Sequence, residues 1–212
     1  SGHEQGWANE MQAGQLGFVC DVGGGTTDFT LVAIREGEKG LRFDRLAVGD
    51  HLMLGGDNMD LALGRHLEAR LMGRPGKLES KRWHQLCHQC RKAKETLLGR
   101  EGGQASMDVV LMGSGGKLIA DTLKGTLTRE EVGDLILEGF FPVVPLEDGP
   151  QEGRRTGLTE WGLPYVQDPA VTKHMGAFWK RFEPLMARET GRSTLYPDFL
   201  LFNGGSLTPA PV

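Results

Sequence analysis

"FVCDVGGGTTDFTLVAI", residues 18–34, sets three consecutive glycines between two apolar runs with strand character. Residues 18–22 predict a short buried strand, and residues 28–34, where polar and β-branched apolar positions alternate, predict the next strand. A turn at residues 36–40 leads to residues 41–48, which predict a third strand. Strands joined by such short turns form an antiparallel meander.

The glycine turn has the composition of a phosphate-binding loop. Gly23, Gly24 and Gly25 carry no Cβ, so successive backbone N–H groups can converge on an anion, and Thr26 and Thr27 add hydroxyl groups. The turn is not a Walker loop, because no Gly-Lys-Ser/Thr follows it, and the strand after it argues against a dinucleotide fingerprint. What remains is a hairpin whose backbone can approach a ligand closely.

Two aspartates, Asp21 and Asp28, flank this turn. Carboxylate oxygens suit a hard cation that keeps much of its water shell, so the pair is a candidate for holding hydrated Mg²⁺ or for orienting a water molecule. The local sequence also allows a glycine-rich hairpin that has aspartates at solvent-facing turn positions and binds nothing.

The segment after the meander predicts two helices. Asp57 or Asn58 is the expected N-cap of the first helix. Residues 73–77, which contain Gly and Pro, end it, and residues 79–98 predict the second helix. One face of the first helix carries leucines at a spacing of four: Leu63, Leu67 and Leu71.

Further along the chain, residues 107–112 and 117–123 predict a hairpin. Thr128 and Glu131 have the spacing of a capping box that introduces a helix over residues 129–140.

The last third of the chain begins with residues 145–168, which are rich in Pro, Gly and charge and predict a loop. Pro169 is expected in the first turn of another helix, in which Pro184 predicts a bend or an interruption. Residues 199–202 predict a buried strand followed by a glycine turn.

The composition fits one large globular domain, or one domain with an inserted subdomain. Of the 212 residues, 39% are hydrophobic and 25% are charged, and the net charge of −4 gives no reason to expect nucleic acid or an anionic membrane as a partner. The three cysteines make no disulfide framework, no apolar run reaches membrane-spanning length, and no signal peptide is recognisable. We therefore expect a reduced, cytoplasmic protein.

A cluster in the second predicted helix allows two interpretations. His84, Cys87, His88 and Cys90 form the stretch HQLCHQC, which invites a zinc or redox interpretation. No second cysteine pair exists, and helical spacing lets only some of these side chains converge. Buried structural thiols on a packed helix face are the favoured interpretation.

Five stretches stand out by their order: DVGGGTTD (residues 21–28), VGDHLMLGGDNMDLAL (48–63), CRKAKETLL (90–98), LTREEVGDLILEGFFPVV (127–144) and LLFNGGSLTPAPV (200–212). In that order they resemble the second phosphate motif, the start of the inserted subdomain, the helix that reaches the adenosine, a helix near the end of the insert and the adenosine motif of one family. That family is the 70-kDa heat-shock protein chaperones, members of the actin-like ATPase superfamily.

The resemblance implies an α/β fold: an actin-like ATPase (ribonuclease H-like) lobe with a mixed sheet and an inserted α+β subdomain. Residues 1–56 and 191–212 would form the core subdomain of lobe II, and residues 57–190 would form the insert. The family's first phosphate motif and the segment around its catalytic lysine have no counterpart in the sequence. We therefore expect lobe II alone, with lobe I as its missing partner.

The resemblance also implies a site for ATP or ADP with Mg²⁺. Asp21, Asp28 and Thr26 would form the catalytic group, the two aspartates acting on Mg²⁺ through water and on the attacking water. Lys94 would reach a ribose hydroxyl, and residues 55–57 would lie at the hinge between subdomains. The glycine turn would face the phosphates and residues 204–206 the base and ribose; the implied nucleotide-binding residues are Gly23, Gly24, Gly25, Thr27, Asp57, Lys94, Gly204, Gly205 and Ser206.

The adenine end departs from the family pattern. Two arginines usually sandwich the base in these chaperones, but Glu95 and Thr208 stand at the matching positions, and Leu98 replaces a helix serine that meets the base. Cation–π and stacking contacts of roughly 0.5–2 kcal/mol each would be missing. Either the affinity for ATP is weak, or one of the neighbouring residues Arg91 and Lys92 takes the place of the missing arginines. We therefore expect a divergent member of the family.

The implied function of the parent protein is ATP binding and slow hydrolysis between two lobes, coupled to a conformational change. Nucleotide, a co-chaperone or exchange factor and a client protein would be its partners, whereas one lobe alone is not expected to be a competent ATPase. Two alternatives stay open: a sugar-kinase-like phosphotransferase built on the same lobe, and a degenerate, non-catalytic scaffold that binds partner proteins.

Overall fold

The computed structural model describes residues 11–99, 104–112, 122–151, 167–191 and 196–207. The strands are β1 (Leu16–Val22), β2 (Thr27–Gly37), β3 (Gly40–Val48), β4 (Ser106–Leu111), β5 (Leu123–Thr128) and β6 (Phe199–Asn203). The main sheet has the order β3-β2-β1-β6, in which β1 to β3 are antiparallel and β6 pairs with β1 in parallel. The predicted meander within a mixed sheet is confirmed, and alternate side chains of β2 are buried, as its period of two requires.

β6 is a strand, as predicted, but it is not a buried one. Leu200, Leu201 and Phe202 are 42–54% exposed. Within the described residues, β6 pairs only with β1 and lies at an edge of the sheet, so these side chains stay partly exposed. The apolar run at residues 199–202 predicted a buried strand, but the described part of the chain does not bury it.

Four helices lie in the described ranges: α1 (Gly56–Met72), α2 (Ser80–Leu98), α3 (Arg129–Phe140) and α4 (Val171–Thr190). The predicted N-cap of α1 at Asp57 or Asn58 is wrong, because the helix begins at Gly56 and its N-cap is Gly55. Asn58 instead turns its Oδ1 back to accept the Gly55 N–H at 2.9 Å. The predicted leucine face of α1 exists, and it is buried apart from a partly buried Leu71.

The β4–β5 hairpin pairs Ser106 with Thr128. Its first strand lies one residue before the predicted range 107–112, and its second strand covers Leu123–Thr128, whereas the prediction ended at Leu123. Leu127 is the buried residue of this second strand. Residues 117–121 of the predicted second strand lie outside the described residues.

The capping box predicted at the start of α3 is confirmed. The Thr128 Oγ1 accepts the Glu131 N–H at 3.1 Å, and the Glu131 carboxylate accepts the Thr128 N–H at 3.3 Å. Since each residue satisfies a backbone donor of the other, the helix starts where the local sequence places it.

The start of α4 differs from its prediction. The helix begins at Val171, so Pro169 precedes it instead of lying in its first turn. The Asp168 carboxylate accepts the Ala170 N–H at 3.0 Å and holds these residues in a turn. The helix also continues across Pro184, so the predicted interruption is wrong. Of the predicted loop that precedes α4, residues 152–166 lie outside the described part of the chain.

The buried side chains of the described residues form one continuous core with two regions. α4 lies on the main sheet, where Phe178 and Trp179 pack against Phe18 with ring centroids 5.6 and 4.7 Å away. The other three helices and the β4–β5 hairpin bury a second set: Leu63, Leu67, Leu86, Leu97, Leu127 and Ile136. The predicted assignment of residues 57–190 to one insert stays a prediction.

None of the helices in the described ranges combines the length and apolar character needed to cross a membrane.

Candidate functional site

The glycine turn between β1 and β2 is closed by a hydrogen bond from the Gly23 N–H to the Thr26 carbonyl at 2.8 Å. Asp21 lies directly opposite Asp28 in the antiparallel pair, so both carboxylates project from the same face of the sheet beside the turn. The Asp28 side chain is 40% exposed. The structure therefore brings together the two carboxylates and the glycines that the sequence singled out.

The start of α1 is docked against this turn. The Gly56 N–H donates to the Gly23 carbonyl at 3.0 Å, and the Asp57 N–H donates to the Gly24 carbonyl at 2.6 Å. A Cβ on Gly55 would lie 2.6 Å from the Gly23 oxygen, so only glycine allows this approach. These helix N–H groups are satisfied by the turn and fix its position.

The turn after β6 closes on the hairpin from the other side. The Ser206 hydroxyl donates to the Gly23 carbonyl at 2.9 Å, and the Asn203 side-chain amide donates to Asp21 Oδ2 at 3.0 Å. Gly204 has a φ of 96°, and a Cβ there would lie 2.2 Å from the Val22 oxygen. Asn203 was not predicted as a site residue, although it directly precedes the predicted glycines.

A histidine partners the second aspartate. His51 Nδ1 lies 2.7 Å from Asp28 Oδ1. The contact follows from strand register, because Thr27 bridges to Leu52 in antiparallel pairing and the next pair outward is Asp28 with His51. The sequence prediction missed His51, and only the register could have shown it.

Thr27 lies behind the turn. Its side chain is fully buried, and its hydroxyl donates to the Leu54 carbonyl at 2.7 Å. Thr27 therefore anchors the segment before α1, and its hydroxyl is turned away from the surface where the aspartates lie.

A cavity of about 180 Å³ lies between the glycine turn, α1, α2 and the turn after β6. The sequence-predicted residues that line it are Gly24, Asp57, Lys94, Gly205 and Ser206. Gly23, Gly25 and Gly204 do not line the cavity. Gly23 and Gly204 act indirectly, through the backbone contacts described above that hold the surrounding segments together. The adenine-end residues Glu95 and Leu98 line it too, as do Arg91 and Asp60, whereas Thr208 lies outside the described residues.

Lys94 is held inside this cavity by α1. Its Nζ lies 2.6 Å from Asp60 Oδ1 and donates to the Gly56 carbonyl at 2.9 Å. Burial raises the pKa of Asp60, and the Lys94 ammonium opposes that rise. Asp60 is only 6% exposed and was not predicted as a site residue, since nothing in its local sequence indicates that α2 would bring it a cation.

Arg91 lies one helical turn before Lys94, at the rim of the cavity. Its guanidinium contacts the Glu95 carboxylate at 3.1 Å and the Asp57 carboxylate at 3.6 Å. The hydrogen bond to Glu95, helped by the charge of Asp60, raises the pKa of Arg91, so the group is charged at every physiological pH.

The aspartate pair fits a hydrated magnesium ion held through its water molecules. Within the described ranges, no group of three or more His, Cys, Asp or Glu side chains is arranged to bind a metal directly. Asn203 donates a hydrogen bond to Asp21 and His51 contacts Asp28, and these contacts orient the two carboxylates. Two oriented carboxylates suit an ion that keeps most of its own water shell.

For the cysteine–histidine stretch of α2, the structure favours buried structural thiols over a metal or redox site. His84 Nδ1 lies 2.7 Å from the Ser80 carbonyl within the helix. Cys90 is fully buried, and burial raises its pKa to about 12; burial raises the pKa of Cys87 to about 12 as well. Thiols with such a pKa are protonated at neutral pH and do not act as nucleophiles.

Two comparisons with known proteins bear on this site. A family model described as Hsp70 protein matches residues 9–142, which is more than half of the chain. A search of curated proteins found no match. The matched region includes the glycine turn, both aspartates, α1 and α2.

Proposed function

The chain belongs to the Hsp70 protein family and has an actin-like ATPase fold, and on this premise we propose that it binds Mg²⁺–ATP and Mg²⁺–ADP. In the proposed cycle, hydrolysis drives a conformational change in a chaperone-like protein. Co-chaperones or exchange factors, client proteins and a cytoplasmic location are part of the same proposal.

One observation carries the proposal: the Gly23 carbonyl joins three separate parts of the chain. It accepts the Gly56 N–H at 3.0 Å and the Ser206 hydroxyl at 2.9 Å. The hairpin, the start of α1 and the turn after β6 are thereby fixed around one cavity. Such fixed positioning is what phosphoryl-transfer sites supply, because they do little covalent chemistry of their own.

The residues divide into a phosphate end and a nucleoside end. Gly24 and Gly25, with Thr26, would face the phosphates, and Lys94 and Ser206 would meet the ribose. Thr27 is left out of the ligand-contacting group, because its side chain is fully buried and its hydroxyl donates to the Leu54 carbonyl behind the turn.

At the phosphate end, bound Mg²⁺ supplies neutralisation of phosphate charge. Asp21, oriented by Asn203, would hold water of the ion in a fixed position. Asp28, oriented by His51, would position the attacking water and accept a hydrogen bond from it.

A second lobe is proposed to complete the site. The cavity of about 180 Å³ is smaller than the several hundred Å³ typical of pockets that enclose a drug-sized ligand, and Asp28 is 40% exposed. A nucleotide bound here would therefore keep one side in solvent unless another lobe closes over it. This lobe alone is accordingly proposed to bind nucleotide weakly and not to hydrolyse it.

Calorimetric titration with Mg²⁺–ADP and Mg²⁺–ATP tests the proposal, on this chain and on the longest native gene product in parallel. The long product is expected to bind both nucleotides. Asp21→Ala should weaken binding at least about tenfold, as loss of one charged contact of 1.4 kcal/mol or more requires. Asp148→Ala, at an exposed aspartate that does not line the cavity, is the matched control. Absence of binding by the folded long product would overturn the proposal.

The structure also favours one other candidate, a degenerate scaffold that binds a partner protein. The observation is that Glu95 and Leu98 line the cavity where the family has residues that hold the base. The same titration separates the two candidates, because a scaffold predicts a folded long product that binds neither nucleotide.

A further inference from the structure

Arg129, the first residue of α3, has a guanidinium that is partly buried without a partner among the described residues. Its Nε and Nη2 atoms are covered by protein, yet neither forms a hydrogen bond. The residue as a whole is half-buried, which leaves Nη1 as the nitrogen that a ligand can reach. A cation that loses water without gaining a partner is costly, so this group calls for an explanation.

A cavity of about 370 Å³ lies beside this guanidinium, between the end of α2 and the first half of α3. Arg129 lines it together with Leu97, Leu98 and Leu137. Its volume is about twice that of the cavity at the glycine turn and lies in the range of small-molecule sites. Of the described lining residues, only Leu98 is common to both cavities, so the two are separate.

The charges that line the cavity favour a singly charged anion. Glu130 and Asp134 line it with Arg129, so two negative charges accompany the positive one. Both carboxylates are exposed and screened by solvent, whereas the partly desolvated guanidinium attracts an anion more strongly. A phosphate would bring nearly two negative charges against these carboxylates, but a carboxylate brings one and fits the planar donors of arginine.

We propose that this cavity binds a small apolar monocarboxylate. Its carboxylate pairs with Arg129, and its hydrocarbon part packs on Leu97, Leu98 and Leu137. The pairing supplies the charge that the guanidinium lacks within the described structure, and the leucines remove the hydrocarbon from water. The inference does not depend on the nucleotide-binding function, since a different cavity and a different cation carry it.

Leucine-methyl NMR titrations with hexanoate and with hexanamide, its neutral analogue, test the site on the longest native gene product and on this chain. Hexanoate should shift the methyl signals of Leu97, Leu98 and Leu137. It should bind at least about tenfold more tightly than hexanamide, because only the carboxylate pairs with the cation. Inorganic phosphate, which has no apolar part, should bind more weakly than hexanoate. Equal Kd values for hexanoate and hexanamide, or tighter binding of phosphate, would overturn the proposal.

Two substitutions should move the affinity in opposite directions. Arg129→Met keeps an unbranched apolar stem and removes the charge, so the Kd of hexanoate should rise at least about tenfold and that of hexanamide should not change. Asp134→Asn removes a repelling charge at an exposed position, so the Kd of hexanoate should fall about twofold. Arg74→Met, at an exposed arginine outside the cavity, is the matched control and should leave both Kd values unchanged.

Further outcomes decide whether Arg129 serves a ligand and whether the cavity is a separate site. Unchanged hexanoate binding by folded Arg129→Met would overturn the proposal. If that variant does not fold, the preference of the wild type for hexanoate over hexanamide and the effect of Asp134→Asn decide instead. Displacement of hexanoate by Mg²⁺–ADP would assign the cavity to the nucleotide site and would overturn the proposal as well.

Discussion

At Gly204, both the backbone conformation and the neighbouring atoms require glycine. Its φ of 96° is one that other residues rarely adopt, and a Cβ would lie 2.2 Å from the Val22 oxygen and 2.7 Å from Asp21 Oδ1. Gly204→Ala is therefore expected to lower the free energy of unfolding by at least about 2 kcal/mol. It should also weaken Mg²⁺–ADP binding, because the added methyl pushes on the strand that carries Asp21. Chemical denaturation measures the first effect and calorimetry the second.

The neighbouring glycine provides the control for stability. No atom lies within 4 Å of a Cβ built on Gly205, and its φ is not positive. Gly205→Ala should change the free energy of unfolding by no more than about 0.5 kcal/mol. Equal stability of the two variants would contradict the steric argument at Gly204.

Single residues of the site could be predicted where the sequence itself carries the signal. The glycine run and the adjacent aspartates are local features, and the structure brings them together. His51 and Asp60 have no local signal: the first reaches Asp28 through strand register, and the second meets Lys94 through the packing of two helices. Such pairs depend on long-range geometry that sequence pattern alone does not specify.

Helices and strands show the same distinction between local signals, which the sequence contains, and long-range geometry, which it does not. α3 starts where its capping box predicts, because both hydrogen bonds of the box lie within four residues. The start of α4 was missed because the Asp168 side chain stabilises a turn ahead of the helix. The burial of β6 was overestimated because a run of apolar residues does not show whether a strand lies at an edge.

Glu68 connects the end of α1 to the loop that follows it, and its contacts make that connection sensitive to pH. The carboxylate is fully buried and accepts the N–H groups of Gly76, Lys77 and Leu78 at 2.7–2.9 Å, together with the Arg65 guanidinium at 2.9 Å. Burial alone would raise the pKa of Glu68, but these hydrogen bonds outweigh it and lower the pKa below the usual value.

A lowered pKa fixes the sign of the pH dependence. The ionised Glu68 stabilises the native state above the unfolded-state pKa of about 4.3, and this contribution is lost as the pH falls through the lower pKa of the folded state. Glu68→Gln should therefore be less stable than the wild type at pH 7 by about 1.5–3 kcal/mol, and the difference should shrink under acidic conditions. Denaturation from pH 7 to about pH 3 measures it.

The control for this prediction is Glu138→Gln, which changes an exposed glutamate on α3. Its stability should follow that of the wild type. A difference between Glu68→Gln and the wild type that stays constant down to acidic pH would show that the ionised carboxylate is not what holds the loop.

At the scale of the whole molecule, the two regions of the continuous core bear on the predicted subdomains. The sequence placed residues 57–190 in one insert, yet α4 packs Phe178 and Trp179 on Phe18 of the main sheet. We propose that α4 belongs with the core subdomain. The resemblance indicated both subdomains, but only side-chain packing shows which of them a helix stabilises.

Two buried phenylalanines test this assignment, Phe178 on α4 and Phe140 at the end of α3, which are 6% and 3% exposed. Replacing either with alanine should cost about 3–5 kcal/mol, because each leaves a cavity in a packed core. Native-state hydrogen exchange locates the loss: Phe178→Ala should raise exchange first in β1 and β2, and Phe140→Ala first in β4 and β5. The pair serves as its own control, since chemistry and burial are matched and only the location differs. If Phe178→Ala instead raises exchange first in β4 and β5, α4 belongs to the insert. If both variants raise exchange equally in all strands, the lobe unfolds as one cooperative unit, and the two subdomains do not differ in stability.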